Sequence, residues 1–551
     1  MSRLLPPARE PLKLYAPKAM PNQEDKIERE LRLRRAAYET CRARAFEHLA
    51  QERPDDALFW FSAAGVVGWN YHFGQWGDAE IDRALTEIAQ ALCAKHKAVD
   101  VKPRGRVTHL TSSIVDGGGH TEVILAWCDL LKRYENARQT LVSSEWIDSR
   151  EHGRNSLGSL SESVDAYHLC PKGSSPTEKV SWLYERLMEA GPETVILHVN
   201  PNDVLALCAA LMLRRSTGAR LVFFNHADHV FSLGMSAADR VIEYRPKGAR
   251  YSIGHRAVEP ERIYLVPLGS RPRSSPQVSR TELGVPENCT VSITIAAYYK
   301  LVPDEGWNFG RAIYELLSAE PRHYHLIVGH GSHGVVGHIM GHFKTAPAEV
   351  RARLVWLGRR TDVDALLKAS DFLVESFPLT GGTLRTDAMR AGTPVVSIKN
   401  TRWDLITETG AFPEDYPLVA TSNEEVIRFS RLLISDAALR ALYGRRLAER
   451  YREAFSETAV AAALRNALWA QEAGKACPDL TEKPEYDLRY AVALGSRAVN
   501  IHQIEETVDA HIGFKHRMRA TSLSTRLVKA TIKWTQRARD RFYLSARMLL
   551  S

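Results

Sequence analysis

Lys300 ends a stretch in which a β-forming run, Thr290 to Ala296, gives way to Tyr298-Tyr299-Lys300 and then Pro303. A cation delivered where a chain leaves a strand suits a phosphate, and equally an exposed lysine in an ordinary loop. The second cluster, Thr380-Gly381-Gly382-Thr383-Leu384-Arg385-Thr386-Asp387, follows the apolar run Phe372 to Glu375. Gly381 and Gly382 permit close backbone approach, and a helix opening near Thr383 aims its unpaired N–H groups and positive dipole end at an anion. One turn further on, the Asp387 carboxylate can accept hydrogen bonds from a ribose diol. The two clusters together describe a grip on a nucleotide diphosphate; the plainer alternative for the second is a helix start with an ordinary acid nearby.

Acid–base chemistry has its own candidates. Asp116-Gly117-Gly118-Gly119-His120 lies between the run Arg106 to Leu110 and a helical pattern from Glu122 to Arg133. Histidine has the pKa of a base that takes a proton from an attacking hydroxyl, so His120 is the first candidate and Asp116 the second, against a turn with a capping histidine. Asn225-His226-Ala227-Asp228-His229 ends the run Leu221 to Phe224 and offers acceptor contacts from His226, Asp228 and His229. Three metal ligands could be drawn from that cluster, but neighbouring side chains on an extended segment diverge and no metal is expected. Gly329-His330-Gly331 follows the run His325 to Val328 and can border the same phosphate pocket.

These residues need parallel strands to hold them. From residue 105, short β-rich runs alternate with longer helical patterns, the signature of α/β layers. A first series runs through Arg106 to Leu110, Thr140 to Ser143, Thr194 to Val199, Leu221 to Asn225, Arg240 to Glu243 and Ile263 to Pro267. Gly269 to Arg280, with four Ser, three Arg and two Pro, breaks the pattern as a linker. The second series comprises Thr290 to Ala296, His325 to Val328, Leu354 to Leu357, Phe372 to Glu375 and Pro394 to Ile398. The expected organisation is a helical cap over 1–104, a Rossmann-like domain over 105–268 facing the acceptor, a second over 281–472 holding the donor, and a basic helical tail over 473–551.

The joint spacing of Glu375, Pro378, Gly381, Thr383 and Asp387, with Tyr299-Lys300-x-x-Pro303, resembles the catalytic half of the O-linked N-acetylglucosamine transferases. That family consists of inverting, metal-independent GT-B glycosyltransferases using UDP-sugars, and the resemblance covers roughly 290–400. It implies two Rossmann-like domains facing a cleft, with Lys300 and Thr383 at the diphosphate, Asp387 at the ribose, Gly358 and Arg359 beside the base, and Tyr299 also among the donor-binding residues. It also implies that Gly118 and Gly119 face the interdomain cleft. Two departures are visible: Gly382 and Leu384 stand where the family has His and Thr, leaving Arg385 to strengthen the phosphate grip. Retaining GT-B enzymes place two acids about eight residues apart here, whereas Glu375 and Asp387 are twelve apart, which favours inversion. No 34-residue tetratricopeptide period recurs, so a protein acceptor does not follow from the resemblance.

Composition narrows the rest. The net charge of +8 resides in Gly513 to Ser551, where ten Lys or Arg meet one acid; the remainder carries 63 basic and 64 acidic residues. A nucleic-acid partner is therefore not expected. The tail's basic amphipathic pattern around Trp534 suits an anionic membrane surface, and equally a solvated helix packed on its own domain. No run reaches the roughly 20 apolar residues of a membrane span and no secretory signal is read at the N-terminus, so the expected location is cytoplasmic, peripheral on the inner face of the membrane if the tail binds lipid. The seven cysteines are scattered without a C-x-x-C pair and read as buried thiols. The expected activity is sugar transfer from a UDP-linked donor, itself a co-substrate with no further cofactor, to a hydroxyl or amide of a glycan, lipid-linked glycan or protein. The rival readings are a nucleotide-sugar epimerase of the same architecture and a non-catalytic nucleotide-binding module.

Overall fold

The computed structural model describes residues 23–94, 106–146, 148–269, 276–304, 306–401 and 409–471, together with 405, 407 and 508. Thirteen strands form two all-parallel sheets among these residues. The first contains β1 (Arg106–Thr111), β2 (Arg138–Ser143), β3 (Ala166–Leu169), β4 (Thr194–His198), β5 (Arg220–Phe224), β6 (Arg240–Glu243) and β7 (Ile263–Leu265), ordered β3-β2-β1-β4-β5-β6-β7. The second contains β8 (Thr290–Ile295), β9 (His323–Val328), β10 (Leu354–Gly358), β11 (Phe372–Val374), β12 (Val395–Ile398) and β13 (Val419–Ala420), ordered β10-β9-β8-β11-β12-β13. In each sheet the order reverses beside its first strand, between β1 and β4 and between β8 and β11, and such reversals open a crevice at the strands' carboxyl ends.

Burial on both faces explains why these strands read as continuous runs. Along β8, Val291 and Ile293 enter the apolar core, while Ser292 and Thr294 are equally buried on the opposite face. The polar pair is satisfied there: Ser292 Oγ lies 2.8 Å from His323 Nε2 and 2.7 Å from His325 Nδ1, and Thr294 Oγ1 donates to the Val374 carbonyl at 2.7 Å. The strands β3 and β13 lacked a sequence signal for different reasons. The edge strand β3 leaves Tyr167 43% exposed, so it carries no apolar run, and β13 is only two residues long.

Two boundaries differ from the expected division. The helices Gln23–Ala50, Pro54–Asn70 and Ala79–Cys93 form the N-terminal cap, but it is continuous with the first lobe, because Tyr38, Phe59, Leu85 and Ile88 share one core with Leu197, Leu207 and Phe231 of the first sheet's layer. At the other end, helix Glu457–Trp469 packs Val460, Leu464 and Leu468 against Val107, Trp127 and Ile196 of the first lobe. Arg240 Nη1 donates to the Ala467 carbonyl at 2.8 Å, satisfying one of the acceptors a helix leaves open at its end. The chain thus returns to the lobe it started from. No described helix is long and apolar enough to cross a membrane; the basic tail 513–551 lies outside the described residues.

Asp82 joins the N-terminal helices to this lobe. Its buried carboxylate accepts from the Gly234 N–H at 2.7 Å and from Ser236, yet burial outweighs both bonds and raises it to about 6. A carboxyl raised above its unfolded value near 3.9 stabilises the fold most below that value and loses this contribution as pH rises through 6. Asp82→Asn keeps an acceptor without the charge. It is expected to raise the melting temperature at pH 7 and to flatten stability between about pH 4 and 6, by up to about 3 kcal/mol, in a series of thermal melts across pH.

Candidate functional site

Chain leaving β8 and chain leaving β11 meet above the reversal in the second sheet. After β8, Tyr298–Leu301 makes a tight turn anchored by the Tyr298 N–H, which donates to the His330 carbonyl at 2.9 Å, and by Leu301, which is fully buried. That turn points Lys300 across to the other segment, where its Nζ donates to the Thr380 carbonyl at 3.0 Å. The next helix starts at Phe309, capped by Asn308. After β11, Gly381 is extended, helix Gly382–Ala391 begins, and Gly392 at φ +68° ends it. Ala388 and Met389 bury one side of that helix, which directs its N-terminal amides toward the opening.

One crevice of about 440 Å³ collects most of the residues singled out from sequence, a volume suited to a nucleotide-sized ligand. Its second-lobe wall contains Tyr299, Lys300, His330, Arg359, Arg360, Gly381, Gly382, Thr383, Leu384 and Asp387. Burial lowers the Lys300 ammonium from its ordinary value, while the Glu375 carboxylate opposes the drop. Asp387 accepts from Arg390 at 3.2 Å, and Arg390 is held in turn by Asp364 at 2.5 Å. Gly358 is not on the wall; at φ +64° it turns β10 so that Arg359 and Arg360 enter the crevice, and its carbonyl accepts from the Gly329 N–H at 2.8 Å. Gly329 is required by space, since a Cβ there would lie 1.8 Å from the Ala296 carbonyl oxygen.

Arg385 is elsewhere, and its expected part in gripping phosphate needs correcting. Its side chain is 6% exposed and pairs with Glu375 through Nε at 2.8 Å and Nη2 at 3.0 Å. The buried Glu375 carboxylate holds the guanidinium inside the lobe, and Arg385 does not line the crevice. The Glu375 carboxylate that receives it also accepts from Ser397 at 2.5 Å.

The first-lobe wall holds Gly117, Gly119, Glu122, Val123 and Gly269. Gly117 is left-handed at φ +70°, and a Cβ on it would sit 2.9 Å from an Arg359 guanidinium nitrogen, so the two lobes touch at this point. Gly118 caps the following helix, Gly119–Glu135, without lining the crevice. His120 also does not line it. Its ring stacks on His226 at 3.9 Å between centroids, its Nε2 is buried without a partner, and burial followed by the nearby His226 keeps its pKa well below the ordinary value. Asp116 accepts from the Ser156 N–H at 2.8 Å and from both nitrogens of Asn155, bonds that lower its pKa and occupy it as the cap of helix Arg154–Leu160.

The second polar cluster is structural in the same sense. Burial would raise Asp228, but Arg245 outweighs it and holds the carboxylate well below the usual range, with Tyr244 donating at 2.9 Å. His226 is lowered to about 4 by burial, and His229 is 3.5 Å from the Asp228 carboxylate. None of the three borders the crevice, and among the described residues no group of three or more His, Cys, Asp or Glu is arranged so that it could hold a metal ion. Sequence reasoning overlooked Glu122 and Arg360. Residues two apart on a helix project about 200° apart, so a histidine turned into the sheet at 120 puts the side chain at 122 toward the opening.

No family model matches the chain, and no curated protein matches it. Solved structures do. Anabaena HepE, solved with UDP and glucose, is 16% identical and superposes over 66% of this chain and 98% of its own with a TM-score of 0.50. An O-GlcNAc transferase mutant from Thermobaculum terrenum is 16% identical over 76% of this chain and 78% of its own, TM-score 0.47. A Listeria monocytogenes structure described as a UDP-N-acetylglucosamine 2-epimerase is 13% identical over 69% and 99%, TM-score 0.45. At these identities the likeness is one of architecture. Two parallel Rossmann-like sheets of seven and six strands, facing a common crevice, give this chain the GT-B fold of glycosyltransferases.

Proposed function

We propose that this protein transfers a sugar from a nucleotide diphosphate donor, UDP-linked, to an acceptor hydroxyl or amide, with inversion at the anomeric carbon. The observation that carries the reading is the shared crevice: the Lys300 ammonium, the amides opening helix Gly382–Ala391 and the Asp387 carboxylate all border one space. Lys300 and those amides neutralise the diphosphate as the bond to the sugar breaks and negative charge grows on the leaving oxygen. Arg359 adds positive charge at the rim, where Arg360 is already paired with Asp362 at 2.5 Å, and this reading assigns the diphosphate to Lys300, Arg359 and the helix amides without a metal ion. Asp387 accepts from the ribose hydroxyls. HepE, with the same architecture, was solved with UDP in place.

Calorimetric titration with UDP tests the donor half. Binding is expected for the wild-type chain. Asp387→Asn is expected to weaken it about 10-fold, the effect of losing a charge-assisted hydrogen bond worth about 1.5 kcal/mol. Wild-type affinity for UDP no better than for adenosine diphosphate would end the uridine assignment. Incubating a UDP-sugar without acceptor separates the epimerase reading, since isomerised sugar would replace transfer as the conclusion.

The basic tail supports a location on the inner face of an anionic membrane and, with it, a lipid-linked or polysaccharide acceptor. The full chain is expected to sediment with anionic liposomes at low salt and to stop doing so when 513–551 is removed; co-sedimentation unchanged by that removal would refute the assignment.

A further inference from the structure

We propose that Glu122 is the base that takes the acceptor's proton, an inference that rests on the sugar-transfer reading above. Transfer with inversion needs a proton acceptor on the side of the anomeric carbon opposite the departing diphosphate. The diphosphate side is the second-lobe wall, where Lys300 and the helix amides lie, so the base belongs to the first lobe. Of the five first-lobe residues on the crevice, Gly117, Gly119, Glu122, Val123 and Gly269, only Glu122 ionises.

The helix itself explains the placement. Gly119, Glu122 and Val123 are spaced by three and one, which puts them on one face of Gly119–Glu135, and that face looks across the opening to Lys300 and Asp387. Asp116, His120 and Asp228 do not line the crevice. Asp116 caps a neighbouring helix, His120 stacks inward on His226, and Asp228 is locked by Arg245. A histidine row continues behind His120: Gln139 Oε1 can only accept, so His109 donates from Nε2 and accepts at Nδ1 from His198 Nε2, 3.0 Å away. That row leads into the sheet, away from the crevice.

The step balances without a further reactant. The acceptor's O–H or N–H proton passes to the Glu122 carboxylate as its heteroatom forms a bond to the anomeric carbon. The bond from that carbon to the diphosphate oxygen breaks, its electron pair stays on the diphosphate, and the proton held by Glu122 later returns to solvent.

The test compares wild type, Glu122→Gln and Glu122→Asp by calorimetric titration with UDP and by UDP released from UDP-glucose and UDP-N-acetylglucosamine, with water as the acceptor, across pH. Glu122→Gln is expected to bind UDP within about twofold of wild type and release UDP on the order of 100-fold more slowly. Its rate should also lose the acidic limb that wild type shows, and Glu122→Asp should recover part of the rate with that limb restored. Release by Glu122→Gln within threefold of wild type, or an unchanged acidic limb, overturns the inference and leaves the donor site standing. A wild-type chain that binds no UDP overturns the donor reading and this inference together.

Discussion

Lys300→Ala is expected to slow turnover of the nucleotide-sugar donor about 100-fold, equivalent to about 3 kcal/mol of lost transition-state stabilisation. The ammonium sits between the Thr380 carbonyl, 3.0 Å away, and the crevice, and the turn that carries it is fixed by the buried Leu301 and the Tyr298 amide. Its position is therefore set before any ligand arrives, and preorganised charge in a part-desolvated site is worth more than the same charge in water. Because charge develops on the diphosphate as the glycosidic bond breaks, the loss should fall on kcat more than on affinity for UDP. Burial also lowers the lysine's pKa, so the charged form dominates below that value and is lost as pH rises through it. Donor turnover in wild type should accordingly decline on the alkaline side earlier than an ordinary lysine near 10.4 would dictate. Undiminished turnover by Lys300→Ala of an identified donor would remove Lys300 from the site.

Sequence made the architecture legible because both sheets are parallel and buried on both faces, which turns each central strand into an apolar run separated by a helical pattern. Elements that bury little, such as β3 at an edge, leave no such trace. The crevice was legible in its second lobe, where glycines and a lysine fall at strand ends and the backbone itself makes the site. It was not legible in the first lobe. Ranking His120 first, ahead of Asp116, weighed intrinsic pKa and left Glu122 unconsidered, whereas rotation about the helix axis decides which side chain meets the opening. Asp116 and Asp228 were misread for a related reason: a carboxylate in a loop is as often a cap or half of an ion pair as a reactive group, and the partners, Ser156 and Arg245, lie 40 and 17 residues away. The boundaries of the lobes also depended on long-range packing, as helix Glu457–Trp469 demonstrates by returning to the first sheet.

Arg385→Ala is expected to destabilise the protein by about 4 kcal/mol, the largest stability effect anticipated for any residue singled out around the crevice. The substitution removes the partner of a carboxylate that is 2% exposed, leaving Glu375 buried with Ser397 as its remaining donor of comparable directness. An uncompensated buried charge costs far more than the pair gains by forming, so the double variant Arg385→Met with Glu375→Gln should recover most of the loss. Urea denaturation of the two single variants and the double variant measures this coupling. The same variants separate two roles for the guanidinium. A phosphate-gripping arginine would lower UDP affinity when removed, whereas one turned into the sheet leaves affinity intact below the variant's unfolding transition. Arg385→Ala that melts like wild type but loses UDP would return the guanidinium to the crevice and unsettle the orientation of helix Gly382–Ala391, on which the donor site depends.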